Sequence, residues 1–388
     1  MLFLIFLTGI MSTQAKPRSG KILKGALHIY QKPEITYDKF GKIRGKGRFK
    51  IYEVGKKCKY GRWYKIKNGA WVCSGWFIPT DDPEGKEEDW INKIANANYY
   101  KNTSRNTYIA KKFSHINSKK MRRVYKQQGF YPVERFLLRG VPWYKLFDAG
   151  YVSARSITPY KFINLRGVKA KRKELPIVFV VRKDAWLWKR KRGKFVKFNK
   201  IDKYAVRPVK DPGGPFYKIK YAPHVYLKKS DTAYAPNPPA PPASIKKDEH
   251  WIDIDLGNNI LYAFKGKRLI KLMLTSSAQR TETGIHRVYL KRVYQTYDQL
   301  RIKDGYFLEA VPYVQYYMLG FSIHGAYWHD DFPDHITHGC VNLSVIDSKW
   351  LFRFLGPIFP RGFVELRGSK KNPGGLVRLR RPPKQKTE

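Results

Sequence analysis

The stretch HWIDIDLGNNILYAF, from His250 to Phe264, carries a pattern that recurs along this chain. Ile252, Ile254 and Leu256 alternate with polar residues, Gly257-Asn258-Asn259 breaks the run, and Ile260-Leu261-Tyr262 resumes it. A period of two, a turn and a second apolar run predict a β-hairpin. RLIKLMLTSS, GIHRVYLKRV and VPYVQYYMLG read as further strands, and RGFVELRG near Arg361 as a final one. One helix is signalled. Ser344 with Asp347 makes an S-x-x-D start, and DSKWLFRFLG holds apolar residues at helical spacing until Gly356-Pro357 stops it.

Upstream, one short pattern returns three times. WYKIKNGAWVCSGWFIP starts at Trp63, WYKLFDAGYVSARSITP at Trp143 and FYKIKYAPHVYLKKSDT at Phe216. Each predicts a strand, a tight turn and a second strand. Repetition at this spacing suggests three small tandem β modules, over 20–80, 85–160 and 161–233. Residues 85–128 are polar and read as a helical or irregular insertion in the second. The first module, opened by GALHIYQKP and closed by GAWVCSGWFIP, resembles bacterial SH3-like domains, which implies a small β-barrel. APNPPAPPAS, Ala235 to Ser244, marks a Pro-rich linker over 234–248 and the clearest boundary. A β-rich domain over 249–368 follows, then a basic tail over 369–388 that reads as disordered. The fold class is mainly β.

Composition adds a constraint on partners. Lys and Arg total 77 against 30 Asp and Glu, a net charge of +47. Such a chain seeks anions: nucleic acid, a membrane surface or an acidic wall polymer. The opening MLFLIFLTGIMSTQAKP has a short apolar run and a small-residue cleavage site at Thr13-Gln14-Ala15, so 1–15 reads as a signal peptide that lacks a positive n-region. That run is too short to span a bilayer, and no other segment is long and apolar enough. Export to the periplasm or cell wall is the expectation. Cys58 and Cys73 suit a disulfide, which by the chain-entropy model would contribute about 3 kcal/mol for a loop of about 15 residues. Cys340 is then the odd thiol, to be treated as potentially reactive.

Cys340 sits in HGAYWHDDFPDHITHGCVNL, where His324, His329, His335 and His338 precede it. Nucleophilic catalysis by cysteine needs a thiolate, a base and oxyanion donors. Cys340 offers the thiol, His324 or His338 the imidazole, and the backbone near Gly339 the amides. His324-Gly325 followed by Thr337-His338-Gly339-Cys340-Val341-Asn342 resembles the signature of L,D-transpeptidase catalytic domains. WIDIDLGNNILYAF resembles that family's opening hairpin. TETGIHRVY resembles its Thr-Pro-Thr-Gly segment, with Glu282 in place of Pro. The resemblance implies Cys340 as nucleophile, His324 as general base and acid, and the Gly325 carbonyl as the group orienting the imidazole. It further implies oxyanion amides at Gly339 and Cys340, with His338 and Asn342 shaping the site. The implied reaction is peptidoglycan 3–3 cross-linking: Cys340 attacks the third-position diaminopimelate carbonyl, releases D-Ala, and passes the acyl group to a second stem. Water as acceptor would make an L,D-carboxypeptidase, and a protein amine an anchoring transferase. No cofactor and no metal are implied.

Plainer readings stand beside this one. His324 and His338 would each alone be ordinary histidines, while His329 and His335 match no family position and read as loop residues. His338, Cys340, His324 and a nearby Asp are plausible zinc ligands, but no paired spacing supports them. Asp330, Asp331, Asp334 and Asp347 make this stretch acidic; they read as solvated loop residues. WLWKRKRGKFVKFNK, from Trp186, interleaves aromatics and cations as a single-stranded nucleic-acid binder would. Its plainer reading is a hairpin with a cationic turn. For an exported chain, anionic wall polymers and peptidoglycan stems are the partners, not nucleic acid. The alternative of another class is a wall-binding protein that has lost its activity.

Overall fold

The computed structural model describes residues 17–23, 25–36, 39–44, 48–81, 89–95, 97–103, 106–124, 128–161, 163–299, 305–334, 337 and 339–382. The expected signal peptide, His335, His338 and the last six residues lie outside them. Contacts divide the chain into two compact units, one reaching Trp90 with Pro360–Val364, the other Ile91–Phe359 with the residues from Glu365 onward.

The first unit is built of short strands in small antiparallel sheets, among them Ser19–Ile22 between Arg48–Lys50 and Phe77–Thr80, and Gly61–Lys65 between Glu53–Cys58 and Trp71–Cys73. Cys58 and Cys73 are joined by a disulfide. It packs with Trp63 and Trp71 against Tyr30, whose ring meets Trp63 edge-on at 5.4 Å. The bridge adds a covalent constraint to this packing.

Each recurring segment forms the same local structure. Tyr64 pairs with Val72, Tyr144 with Val152 and Tyr217 with Leu227 in antiparallel strands. Each second strand runs into a three-residue 3₁₀ turn, at Ser74–Trp76, Ala154–Ser156 and Lys229–Asp231, and then into another strand. A short helix, Trp90–Ala95, and the strands Tyr100–Asn102, Thr107–Ala110 and Arg122–Val124 occupy the polar insertion.

Within the second unit the Pro-rich stretch is not a free spacer. Thr232–Ala235 is a strand paired with Ile177–Val180. Extended Pro-rich backbone leaves its carbonyls unpaired, and neighbours use them. Tyr262 Oη donates to Pro236 O (2.9 Å), Arg172 to Pro238 O (3.1 Å) and Arg378 Nη1 to Ala240 O (2.7 Å).

The tail expected to be disordered from 369 is also corrected. Leu376–Arg380 is a strand inside a five-stranded sheet, parallel to His250–Asp255 on one side and antiparallel to Gly284–Arg287 on the other. Its register sets Arg378 opposite Asp253 and Arg380 opposite Asp255. Arg380 Nε donates to Asp253 (2.7 Å) and Nη1 to Asp255 (3.0 Å), and Arg378 also pairs with Asp253. Both aspartates, the polar partners in the opening alternation, are fully buried. Acidic and basic side chains thus neutralise each other inside the sheet.

The remaining strands build the site. Leu290–Asp298 pairs with Phe307–Met318, which pairs with Phe321–Gly325, which in turn runs parallel to Val341–Leu343. Ser344 caps the helix Val345–Phe354, its Oγ accepting from Asp347 N (3.1 Å). The helix buries Leu351, with Leu355 just beyond its end, against Ile252, Ile254, Ile323 and Val341. Among the described residues no helix is long and apolar enough to cross a membrane.

Candidate active site

Strand pairing brings the sequence motif together. Ile323 is opposite Val341, His324 opposite Asn342 and Gly325 opposite Leu343 in a parallel pair. Side chains two residues apart share a face. Ser322, His324, Cys340 and Asn342 therefore project to one side of this pair. Ser322 Oγ lies 3.6 Å from Cys340 Sγ, and Gly320 O lies 4.0 Å from it. Cys340 is half-buried and unbridged. No hydrogen bond joins Sγ to the His324 ring; the two are diagonal neighbours on the shared face.

His324 is buried among aromatic rings, with Tyr297 at 5.9 Å and Trp328 at 5.7 Å. Its Nδ1 lies 3.4 Å from Gly325 O. A carbonyl can only accept, so Nδ1 carries the proton and the lone pair is on Nε2. Burial disfavours the imidazolium and pushes the pKa down to about 4; the Gly325 carbonyl opposes that shift and the nearby His329 adds to it. At neutral pH the ring is neutral, with a free basic nitrogen.

Gly339 lies at φ +131°, and a Cβ there would sit 2.5 Å from Phe321 Cε1, so glycine alone fits. Its amide, expected to face an oxyanion, instead donates to Thr337 Oγ1 (3.1 Å). Thr337 Oγ1 in turn donates to Cys340 O (2.7 Å), and Thr281 Oγ1 donates to Gly339 O (2.9 Å). The turn is held by two threonine hydroxyls.

His329, read as a loop residue, belongs to this site. Its Nε2 lies 3.0 Å from the Asn342 side-chain amide, and its Nδ1 accepts from Asp331 N (3.3 Å). Nε2 must then carry the ring proton, and the oxygen end of the Asn342 amide fits opposite it. Two of the aspartates read as solvated are engaged as well. Asp347 is fully buried, pairs with Lys271 Nζ (2.7 Å) and accepts from Gly167 N (2.8 Å). Asp330 accepts from Tyr204 Oη (2.7 Å) and pairs with Lys203 (3.3 Å). Sequence separation hid these partners; the only cue was an unusually acidic stretch in a basic chain.

An open cleft of about 890 Å³ adjoins the turn, lined by Gln279–Ile285 and Arg378–Arg381. Thr281, which holds Gly339, is part of that wall.

Residues 249–366 match the sequence model of the YkuD family, the L,D-transpeptidase catalytic domain. The match covers the hairpin, the Cys-His strands and the helix. Among curated proteins no relative matches. Similar solved structures include an L,D-transpeptidase from Stackebrandtia nassauensis (21% identity, 36% of this chain and 60% of that one, TM-score 0.25). Another is an L,D-transpeptidase from Mycobacterium smegmatis (15% identity, 43% and 77%, TM-score 0.28). A third is the catalytic domain of the E. faecium L,D-transpeptidase (22% identity, 34% and 98%, TM-score 0.25). This chain spans 60% of the length of the first.

Proposed function

We propose that the YkuD-matching segment is a peptidoglycan L,D-transpeptidase that makes 3–3 cross-links through a Cys340 thioester. His324 Nε2 takes the thiol proton, with Gly325 O holding the ring in the right tautomer. Sγ attacks the carbonyl of the third stem residue, and the Cys340 amide stabilises the oxyanion. The bond to the terminal D-Ala breaks, and its nitrogen leaves with the proton from His324. A side-chain amine of a second stem then attacks the thioester, gives its proton back through His324, and frees the thiol. Asn342, braced by His329, shapes the site, and His338 takes the site-shaping role that the resemblance implies. The cationic residues Arg280 and Arg381 in the adjoining cleft suit the carboxylates of stem peptides.

The observation that carries this reading is the parallel register that sets a neutral, buried imidazole and the lone free thiol on one face. The reading includes export, with 1–15 as signal peptide and the periplasm or wall as destination. It includes an SH3-like first module and binding of anionic wall polymers by the basic β modules. Mass spectrometry tests the chemistry: a carbapenem should add to Cys340 in the wild type and not in Cys340→Ala. No adduct on folded protein would leave a wall-binding protein without this activity. Muropeptides from cells with and without the protein separate the acceptors, since a stem amine gives 3–3 dimers, water gives tripeptides and a protein amine gives neither.

A further inference from the structure

The hairpin of Trp186–Lys191 and Lys194–Lys200 edges a seven-stranded sheet. Its core side is clear: Leu187 packs with Leu227, Tyr217 and Ile219. Trp186, Trp188 and Arg190 alternate to the other side, opposite Lys200, Lys197 and Phe195. Seven cations lie between Trp186 and Lys200, with no acidic residue among them. Among the described residues none of the seven pairs with a carboxylate, although at least twelve other Lys and Arg residues do. Aromatic rings hold four of them instead. Lys189 Nζ sits 3.6 Å from the Phe198 centroid, Lys197 and Lys200 sit 5.2 and 5.7 Å from Trp186, and Arg190 lies 6.0 Å from Phe195. The ring under Arg190 is itself fixed by stacking on Phe216 at 4.0 Å.

Ordinary surface lysines are mobile and lose rotamer freedom when a ligand immobilises them. Cations already laid on rings have surrendered part of that freedom, yet keep their charge outward. An array of this kind selects a ligand with repeated negative charge. Resting on the exported, wall-directed reading above, we propose that this hairpin binds an anionic wall polymer, a chain with a repeated carboxylate or phosphodiester charge, and holds the enzyme on its substrate.

The test uses the full chain and four probes: polygalacturonate, a glycerol-phosphate polymer, neutral dextran and poly(dT). Affinity is measured at 50 and 200 mM NaCl. The wild type should bind one or both anionic wall-type polymers, weaken at least tenfold at the higher salt, and ignore dextran. Relative affinity for polygalacturonate and glycerol phosphate distinguishes carboxylate from phosphodiester recognition. Arg190→Glu with Lys197→Glu should cut affinity more than tenfold. Lys119→Glu with Lys120→Glu, an equal charge change at exposed sites elsewhere, should cut it less than threefold. Trp186→Ala, which removes the ring and keeps every charge, should weaken binding about threefold. Equal losses in the two charge-reversal pairs, binding to dextran, or a tenfold preference for poly(dT) overturns the proposal. Carbapenem labelling of wild-type Cys340 is read in parallel. Its absence with polymer binding intact would sink the catalytic reading and leave this surface standing.

Discussion

The pH profile of Cys340 acylation tests the site most directly. His324 must be neutral to accept the thiol proton, and burial holds its pKa near about 4 rather than 6.5. At pH 5.5 an ordinary histidine is only about 10% neutral, while a group titrating near 4 is about 97% neutral, from the half-titration relation that underlies reference pKa values. Carbapenem acylation, followed by mass spectrometry from pH 3.5 to 8, should therefore keep its plateau down to about pH 5 and fall with a midpoint near 4. The same shift has a stability consequence. The unfolded ring binds a proton below about 6.5 and the folded ring only below about 4. Stability contributed by the neutral buried ring is thus complete above 6.5 and is lost as pH falls towards 4, by about 3 kcal/mol at most. Circular dichroism at each pH separates unfolding from protonation. An acid limb centred between pH 6 and 7 in protein that is still folded would refute the buried-base argument.

Other expectations follow from particular contacts. Glu309 is fully buried and accepts N–H groups of Tyr131, Asp148 and Ala149, yet burial pushes its pKa up to about 7 from 4.5. The folded state holds a proton there that the unfolded state has released, so this site's contribution falls as pH rises from about 4.5 to 7. Urea unfolding of wild type against Glu309→Gln across that range should show a pH-dependent difference of up to about 3 kcal/mol. Asp347→Ala strands the buried Lys271 charge and should cost about 3–5 kcal/mol in the same assay. Cys58→Ser with Cys73→Ser should lower the first unit's unfolding free energy by about 3 kcal/mol, the value for a 15-residue loop. His329→Ala removes the partner of Asn342 and should slow acylation several-fold; a rate equal to wild type would remove His329 from the site.

Local pattern made much of the architecture readable. The alternation at His250–Phe264 forms the paired strands His250–Asp255 and Ile260–Lys265, the three repeats form like strand pairs, and Ser344 starts its helix. These features depend on residues within a few positions of one another. What stayed hidden depends on distant partners. Leu376–Arg380 looks like a solvated basic tail until Asp253 and Asp255, more than 120 residues away, neutralise its arginines. Asp347 looks like an exposed acid until Lys271 and Gly167 surround it. His329 carries no motif, and only the fold of the 326–334 loop returns it to Asn342. Gly339 shows the converse. Its position was legible, but the direction of its amide is set by Thr337, which no spacing rule reports.

These distant partners explain how one half-buried sulfur can be held in place. Cys340 precedes a strand of only three residues, Val341–Leu343. That strand is fixed on one side by Phe321–Gly325 and on the other by a two-way amide pairing of Asn342 with Ser276 (2.7 and 3.0 Å). Immediately after it, Ser344 Oγ donates to Leu165 O (2.8 Å), and Asp347 ties the first helical turn to Gly167 and Lys271. At the far end of the helix, the buried Lys291 ammonium donates to the carbonyls of Phe352, Leu355 and Pro357, in the place of the missing helical partners. Each of these polar groups costs desolvation, and apolar residues would fill the same volume more cheaply. Apolar contacts, however, permit sliding, and hydrogen bonds of fixed length do not. The buried charges therefore act on the position of Sγ relative to the imidazole; for the proposed acyl transfer, a shift of about 1 Å is the scale that costs about a hundredfold.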